Sequence, residues 1–561
     1  MNNLAGMGSV LTILATVGIV LLTVAVVSWI MQLRRMRKIR GRMAFYYGRW
    51  RDVYYTGDVL SVIGEYTRMQ EVGVDEITWN DLDLDEVFQR INHTWSFAGE
   101  DYLYYLMHVP EVSKADWKEQ EDLIRYYQEH EKERIELQMI FAGVGKYHGS
   151  SIYRYIRDSI ELNTKTPVIH YLCLAALIAA IAIICVDPSE GIGILIMVII
   201  ANIGLYFYKR KYLEGSMQAL QYFLRLQNAA GMILKKDLIA NSQYKEQLKE
   251  DYTRLKRKLG RTTMLKPPDW GNQSLDEILL DYVRLITHFD NILFYRCMRR
   301  LNQDIDVVEN LITTMGFLES MIAIGSFRKA LPYYCIPQFS DAEVLEVRDA
   351  YHPLIEEPVA NSVKADKGVL VTGSNASGKS TFLKTIAINA ILAQGLHTCA
   401  ASFYCGSWYH ILSSMALRDN LYQGESYYIT EIKALKRVLE AGDEETPVLC
   451  FVDEVLRGTN TVERIAASTQ VLKRFCEKRI LCFAATHDIE LTYLLERDYE
   501  NYHFQEQVID GDILFDYQLY KGRSDSRNAI RLLEILGYEK EIVDNAEMMV
   551  AGFLEKGKWG M

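Results

Sequence analysis

A chain of 561 residues is too long for one compact domain, so two or more folded units are expected. With 49% hydrophobic and 24% charged residues it falls outside the disordered class, and a net charge of −11 argues against a protein that coats nucleic acid uniformly, while leaving local basic patches open. Nine cysteines without a CxxC pair or a His/Cys cluster give no sign of structural zinc and point to a reducing compartment with buried free thiols.

Residues 9–31 carry no charge over 23 positions, enough helix to cross a hydrocarbon core of about 30 Å. The positive charges follow this run, which fits a retained anchor better than a cleaved signal. Residues 32–60 are basic and aromatic, a stop signal or a surface for anionic lipid heads. Residues 79–110 and 113–160 read as helical.

Two further apolar stretches, 168–186 and 191–208, flank the turn Asp187-Pro188-Ser189-Glu190 and predict a transmembrane hairpin. Arg34, Arg35, Arg37, Lys38, Arg40 and Arg42 follow the first span, and Lys209, Arg210 and Lys211 follow the third. The turn carries only acids. The positive-inside rule then puts residues 32–167 and 209–561 in the cytoplasm and the hairpin turn outside.

Residues 209–330 read as long amphipathic helices broken at Pro267-Pro268. From Lys209 to Arg261 there are 13 Lys/Arg against 5 Asp/Glu, a local net of +8 that is densest at Arg254–Lys258. Phosphates of nucleic acid, anionic lipid, or plain solvation of a helix face would each account for such a stripe.

From about residue 340, short apolar runs alternate with helical stretches and glycine loops, the texture of an α/β domain with a mainly parallel sheet. The run Val369-Leu370-Val371-Thr372 leads into Gly373-Ser374-Asn375-Ala376-Ser377-Gly378-Lys379-Ser380-Thr381, which opens a helix. This is GxxxxGK[ST] in a strand–loop–helix setting. Its glycines let backbone N–H groups face phosphates, Lys379 reaches the β and γ phosphates of ATP, and the Ser380 hydroxyl binds Mg²⁺. A second apolar run, 448–452, ends in Asp453, placed for Mg²⁺, and Glu454, placed to polarise the attacking water. A third, 480–486, ends in His487, a candidate sensor of the γ-phosphate.

Together GSNASGKST (373–381), DNLYQGESYYITEI (419–432), FVDEVLRGTNTVERIA (451–466) and ATHDIEL (485–491) resemble the ATPase domain of the MutS family, within the ABC class. The resemblance implies that Ser426 is the signature serine capping the ATP of a partner subunit. Glu431 would close that motif, Gly458-Thr459-Asn460-Thr461 would cross a dimer interface, and Asn375 would lie beside the γ-phosphate. Tyr351-His352-Pro353-Leu354 and Asn361 resemble the family's lead-in to the loop strand, and residues 526–538 its closing helix region. Weaker likeness at 92–103 and 301–338 implies a helical lever. No counterpart of the family's mismatch-reading domain is expected in these residues.

The expected fold is thus an α/β P-loop (ABC-type) ATPase domain preceded by an all-α lever/core domain, with three transmembrane helices. The expected divisions are an anchor at 1–33, a juxtamembrane segment at 34–78, helical core at 79–166, the hairpin at 167–208, more helical core at 209–338, and the ATPase at 339–561. The expected ligands are ATP and Mg²⁺, and the expected partner a second copy. Two couplings stay open: DNA or anionic lipid bound at helices 209–261, or a membrane switch without DNA.

Overall fold

The computed structural model describes most of residues 33–556. Outside the described residues lie 1–22, 110–113, 157–167, 261–281, 416–426, 524–529 and 557–561, with short interruptions elsewhere that include 375–376 and 458. The chain divides into two units. One comprises Met1–Met69, Ile91–Leu103 and Lys118–Ala330; the other comprises Gln70–Arg90, Tyr104–Trp117 and Leu331–Met561.

The first unit is helical. Helix α1 spans Val168–Val186 and α2 spans Pro188–Lys236. Only Asp187 separates them. Its carboxylate accepts from the Ser189 and Glu190 amides at 3.0 and 3.4 Å, and Pro188 sits in the first turn, where its missing N–H costs nothing. The expected four-residue turn therefore contracts to one residue. The expected span 191–208 is the first part of a 49-residue helix, since the chain beyond Tyr208 turns amphipathic without a breaker strong enough to stop it.

That change of texture decides what α2 touches. Leu172, Ile178 and Ile181 on α1, with Met197 and Ile200 on α2, are exposed apolar side chains. Beyond residue 212 the same helix buries Leu213, Leu220, Phe223, Leu226 and Ile233. Helix α3 (Gln243–Leu259) starts on Ser242, whose hydroxyl accepts from the Lys245 amide at 3.3 Å, and buries Leu248, Leu255 and Leu259. Helix α4 (Phe289–Leu301) leads to α5 (Ile305–Ala330), which is buried on nearly every face.

Among the described residues, three helical stretches are long and apolar enough to cross a membrane: 168–186, 188–236 and 289–330. The most apolar windows of the first two are 22% and 17% buried, that of the third 83%, so the third stretch is a core element of this unit. The expected anchor at 9–31 lies largely outside the described residues; within it Val26, Val27, Ile30 and Met31 are helical and exposed.

Several polar groups buried in this unit are paired. Arg328, 1% exposed, makes two bonds to Glu121 at 2.8 and 2.7 Å. Asp304 receives both Arg254 and Lys258. Of the 13 cations between 209 and 261, Lys236, Lys245, Lys249, Arg254 and Lys258 each have a carboxylate partner, so part of the basic stripe serves the fold.

The second unit is α/β. Its strands are β1 (Gln338–Phe339), β2 (Leu345–Ala350), β3 (Asn361–Ala365), β4 (Gly368–Thr372), β5 (Phe403–Gly406), β6 (His410–Ser414), β7 (Val448–Asp453), β8 (Ile480–Ala485), β9 (Tyr499–His503), β10 (Glu506–Ile509), β11 (Asp512–Phe515) and β12 (Tyr520–Lys521). The main sheet has the order β12-β9-β4-β8-β7-β6 and is parallel except for β12. Strands β4 and β8 are buried at every position, as befits a sheet covered on both faces. A four-stranded sheet, β1-β5-β2-β3, and the hairpin β10-β11 complete the set. Helices α6 (Lys379–Leu396), α7 (Tyr427–Ala441) and α8 (Thr461–Cys476) follow β4, β6 and β7 in the chain.

The short helix Glu76–Asp81 is built into this unit. Asp81 accepts from Ser413 Oγ at 2.7 Å and the Met415 amide at 2.9 Å, Asp75 pairs with Arg437 at 2.6 Å, and Asp83 pairs with Lys384 of α6 at 2.6 Å.

Candidate active site at the ends of β4, β7 and β8

Parallel strands that lie side by side end side by side. The order β4-β8-β7 therefore gathers at one edge three segments that are far apart in sequence: the glycine loop after β4, Asp453-Glu454 after β7 and His487 after β8.

Two glycines shape the loop. Gly373 has φ +150°, and a Cβ there would stand 2.9 Å from Ser377 Oγ and 3.0 Å from the Phe504 carbonyl; Gly378 has φ +107° immediately before α6. Both positions favour a residue without a side chain. Lys379, at the start of α6, donates to the Gly373 and Ser374 carbonyls at 2.9 and 2.7 Å. Burial lowers its pKa, opposed by the nearby Asp453 and Glu454 carboxylates. Ser374 Oγ donates to Glu506 Oε2 at 2.8 Å. Ser377 is 1% exposed, and its hydroxyl has no hydrogen-bond partner among the described residues, as suits a loop built to meet an additional acceptor.

Ser380 Oγ donates to Asp453 Oδ2 at 2.6 Å. Two hard oxygen donors at this separation form a set suited to Mg²⁺. Glu454 faces His487 Nε2 at 3.0 Å and is also paired with Arg457 Nε. Burial and the neighbouring Lys379 ammonium lower the His487 pKa, so the ring is neutral at pH 7 and donates Nε2–H to the carboxylate. Arg464 holds Asp488, next to His487, through two bonds at 2.9 and 2.6 Å.

The Asp453–Arg457 loop has an uncommon backbone. Glu454 and Leu456 both have φ +60°. For a residue with a β-carbon this costs about 1–2 kcal/mol. The bend turns the Glu454 side chain out of the strand end, and its amide is fixed to the Ala485 carbonyl of β8 at 3.0 Å.

Of the sequence-derived site residues, Gly373, Ser374, Ser377, Gly378, Lys379, Ser380, Thr381, Asp453, Glu454 and His487 are among the described residues and belong to this one edge. Asn375, Ala376, Ser426 and Gly458 lie outside the described residues. The sequence reading did not single out Glu506, Arg457 or Phe504. It also missed a cavity of about 240 Å³ beside Gly378, lined by His352, Ile355, Val359, Phe382 and Tyr517 among others. Burial, aided by Lys384, holds His352 down at about 4, so its ring is neutral. Asn361 fixes the far wall, donating to the Tyr517 carbonyl at 3.0 Å and accepting from the Leu519 amide at 2.7 Å. The signal for this cavity lay in the Tyr351–Leu354 and Asn361 likeness, but its partners Phe504 and Tyr517 come from far along the chain.

The family model of MutS domain V matches residues 369–553, the stretch that holds the loop after β4, Asp453, Glu454 and His487. Among curated relatives, the DNA mismatch repair protein MutS of Thermus thermophilus is 32% identical over 223 residues, 39% of this chain and 27% of that protein. The human MutS protein homolog 4 is 28% identical over 295 residues, 49% of this chain and 31% of that protein. The MutS of Rickettsia bellii is 26% identical over 296 residues, 50% of this chain and 33% of that protein. The chain therefore spans about a third or less of the length of the relatives it matches.

Proposed function

Because the chain belongs to the MutS family through its domain V, we propose that it binds and hydrolyses ATP at this edge, as a homodimer held at a membrane. The observation that carries the reading is the meeting of Lys379, Ser380, Asp453, Glu454 and His487 at adjoining strand ends, with Ser380 and Asp453 in contact at 2.6 Å and Glu454 and His487 at 3.0 Å.

Each group has a defined task. Lys379 exchanges the Gly373 and Ser374 carbonyls for β- and γ-phosphate oxygens, which compensate its charge better. Backbone N–H groups of residues 373–381 and the start of α6 hold the remaining phosphate oxygens. Ser380 and Asp453 would hold Mg²⁺, which supplies positive charge to the phosphates when bound. Glu454 orients the attacking water and takes its proton, and His487 keeps the carboxylate aimed. Arg457 competes for that carboxylate, so turnover requires it to turn away from Glu454. The cavity at His352 and Tyr517 accepts the adenine ring. Ser426 completes the partner's site and makes dimerisation part of the cycle.

Membrane attachment is supported by the exposed apolar surface of α1 and the first part of α2, which would be solvated by lipid. The cations after Tyr208 set the ATPase on the cytoplasmic side.

One coupling is to DNA, in keeping with the names of the relatives. A second is a membrane switch without DNA. A specific observation favours the second: five cations of the basic stripe are already held by carboxylates, and α2 carries the apolar hairpin segment and a buried helical core on one continuous rod. The test is ATP turnover by detergent-solubilised full-length protein, titrated with homoduplex DNA, mismatched DNA and anionic lipid. Salt-sensitive stimulation by DNA supports the first coupling; stimulation by lipid alone supports the second.

A further inference from the structure

Glu431 lies on α7, five residues after Ser426, and is 4% exposed. Its Oε1 accepts from the backbone amide of Leu456. A carboxylate buried this deeply is costly unless it holds something in place. What it holds is the loop that aims Glu454.

That loop does not keep its shape by itself. Two of its residues, Glu454 and Leu456, sit at φ +60° without being glycine. Such a backbone persists only where its surroundings over-determine it. Three elements do so. The Ala485 carbonyl of β8 accepts from the Glu454 amide at 3.0 Å, Ser468 of α8 donates to the Val455 carbonyl at 3.2 Å, and Glu431 of α7 takes the Leu456 amide. The first two come from elements that follow the loop in the chain. Glu431 alone comes from the helix that carries on from the signature motif.

We propose that Glu431 is a positioning residue for ATP hydrolysis: its carboxylate locks the left-handed turn at Leu456 and thereby sets the aim of the Glu454 base, linking the helix after the signature motif to the catalytic loop. The proposal rests on the ATPase reading above. It assigns Glu431 no contact with ATP, so nucleotide affinity is independent of it, whereas the hydrolytic step is not. Glutamine keeps an acceptor oxygen at the same reach; alanine keeps none.

The test uses full-length protein in detergent, with wild type, Glu431→Ala and Glu431→Gln; Glu431→Met, close in volume to glutamate, replaces alanine if that variant does not fold. The expected result for Ala or Met is a kcat at least about 10-fold below wild type with ATP affinity within about 3-fold, and for Gln a kcat within about 3-fold. Hydrogen exchange without nucleotide gives a second readout: the Leu456 amide should exchange at least about 10-fold faster in Ala or Met than in wild type or Gln. Equal kcat in wild type and Ala, equal losses in Ala and Gln, a loss confined to ATP affinity, or unchanged exchange overturns the proposal. If wild type turns over no ATP at all, the ATPase reading falls, and exchange alone decides whether Glu431 holds the loop.

Discussion

Ser380 Oγ stands 2.6 Å from Asp453 Oδ2, although 73 residues separate them in the chain. The contact exists because β4 and β7 flank β8 in one parallel sheet, so the residues that follow them emerge at the same edge.

His487 should matter to the hydrolytic step and little to binding. Replacing it with alanine removes the 3.0 Å contact to Glu454 and, among the described residues, leaves Arg457 as that carboxylate's ion-pair partner. We expect kcat to fall by about 10- to 100-fold with ATP affinity within about 3-fold. Steady-state kinetics with a separate nucleotide-binding titration measures both. A change in affinity with kcat preserved would assign His487 to binding.

Leu456 sets two effects against each other. Glycine there would relieve left-handed strain worth about 1–2 kcal/mol. It would also delete a side chain that is 4% exposed within the sheet's core cluster, at a cost of about 3 kcal/mol or more. Burial wins, so Leu456→Gly should destabilise by about 1–2 kcal/mol, read as a lower thermal midpoint. A stabilised variant would show that the strain outweighs the packing.

Glu100 in the helical unit should confer acid sensitivity. It is fully buried, and burial alone would raise its pKa, but Lys146 at 2.8 Å, His148 at 2.7 Å and Tyr55 outweigh that and hold it at about 2 instead of 4.5. A depressed folded pKa means stability that is fully present above about pH 4.5 and is lost as pH falls toward 2, on the order of 3 kcal/mol in all. The stability gap between wild type and Glu100→Gln should therefore narrow by roughly 2 kcal/mol from pH 7 to pH 3 in denaturant titrations. A gap that does not change with pH would refute this account of Glu100.

The proposed hairpin orientation predicts a labelling pattern. Above the native thiols, a membrane-impermeant maleimide should label Ser189→Cys from outside intact cells. It should reach Val462→Cys, 76% exposed on the ATPase unit, only after permeabilisation. The reverse pattern would invert the topology.

The candidate site residues could be read from the sequence because each sits in a local signal: an apolar strand followed at once by GSNASGKST, Asp-Glu or Thr-His. Strand endings are local, and the parallel sheet alone brings them together. What stayed hidden depends on long-range packing. Ser374 and Glu506 are 132 residues apart, and Asn361 meets Tyr517 across 156. The fate of the basic stripe was hidden for the same reason, since Arg254 and Lys258 find Asp304, which no helical periodicity near residue 254 announces. Hydropathy marked the hairpin, but α2 runs on past Tyr208 because a helix can pass from an exposed apolar face to a buried one without a break.

The most direct test of the central claim is ATP turnover by the full-length protein in detergent, comparing wild type with Lys379→Ala and Glu454→Gln. The account predicts Mg²⁺-dependent hydrolysis by wild type, no ATP binding by Lys379→Ala, and ATP binding with kcat reduced at least about 100-fold and a trapped dimer for Glu454→Gln. Turnover by Glu454→Gln at the wild-type rate, or ATP bound equally well by Lys379→Ala, would contradict it.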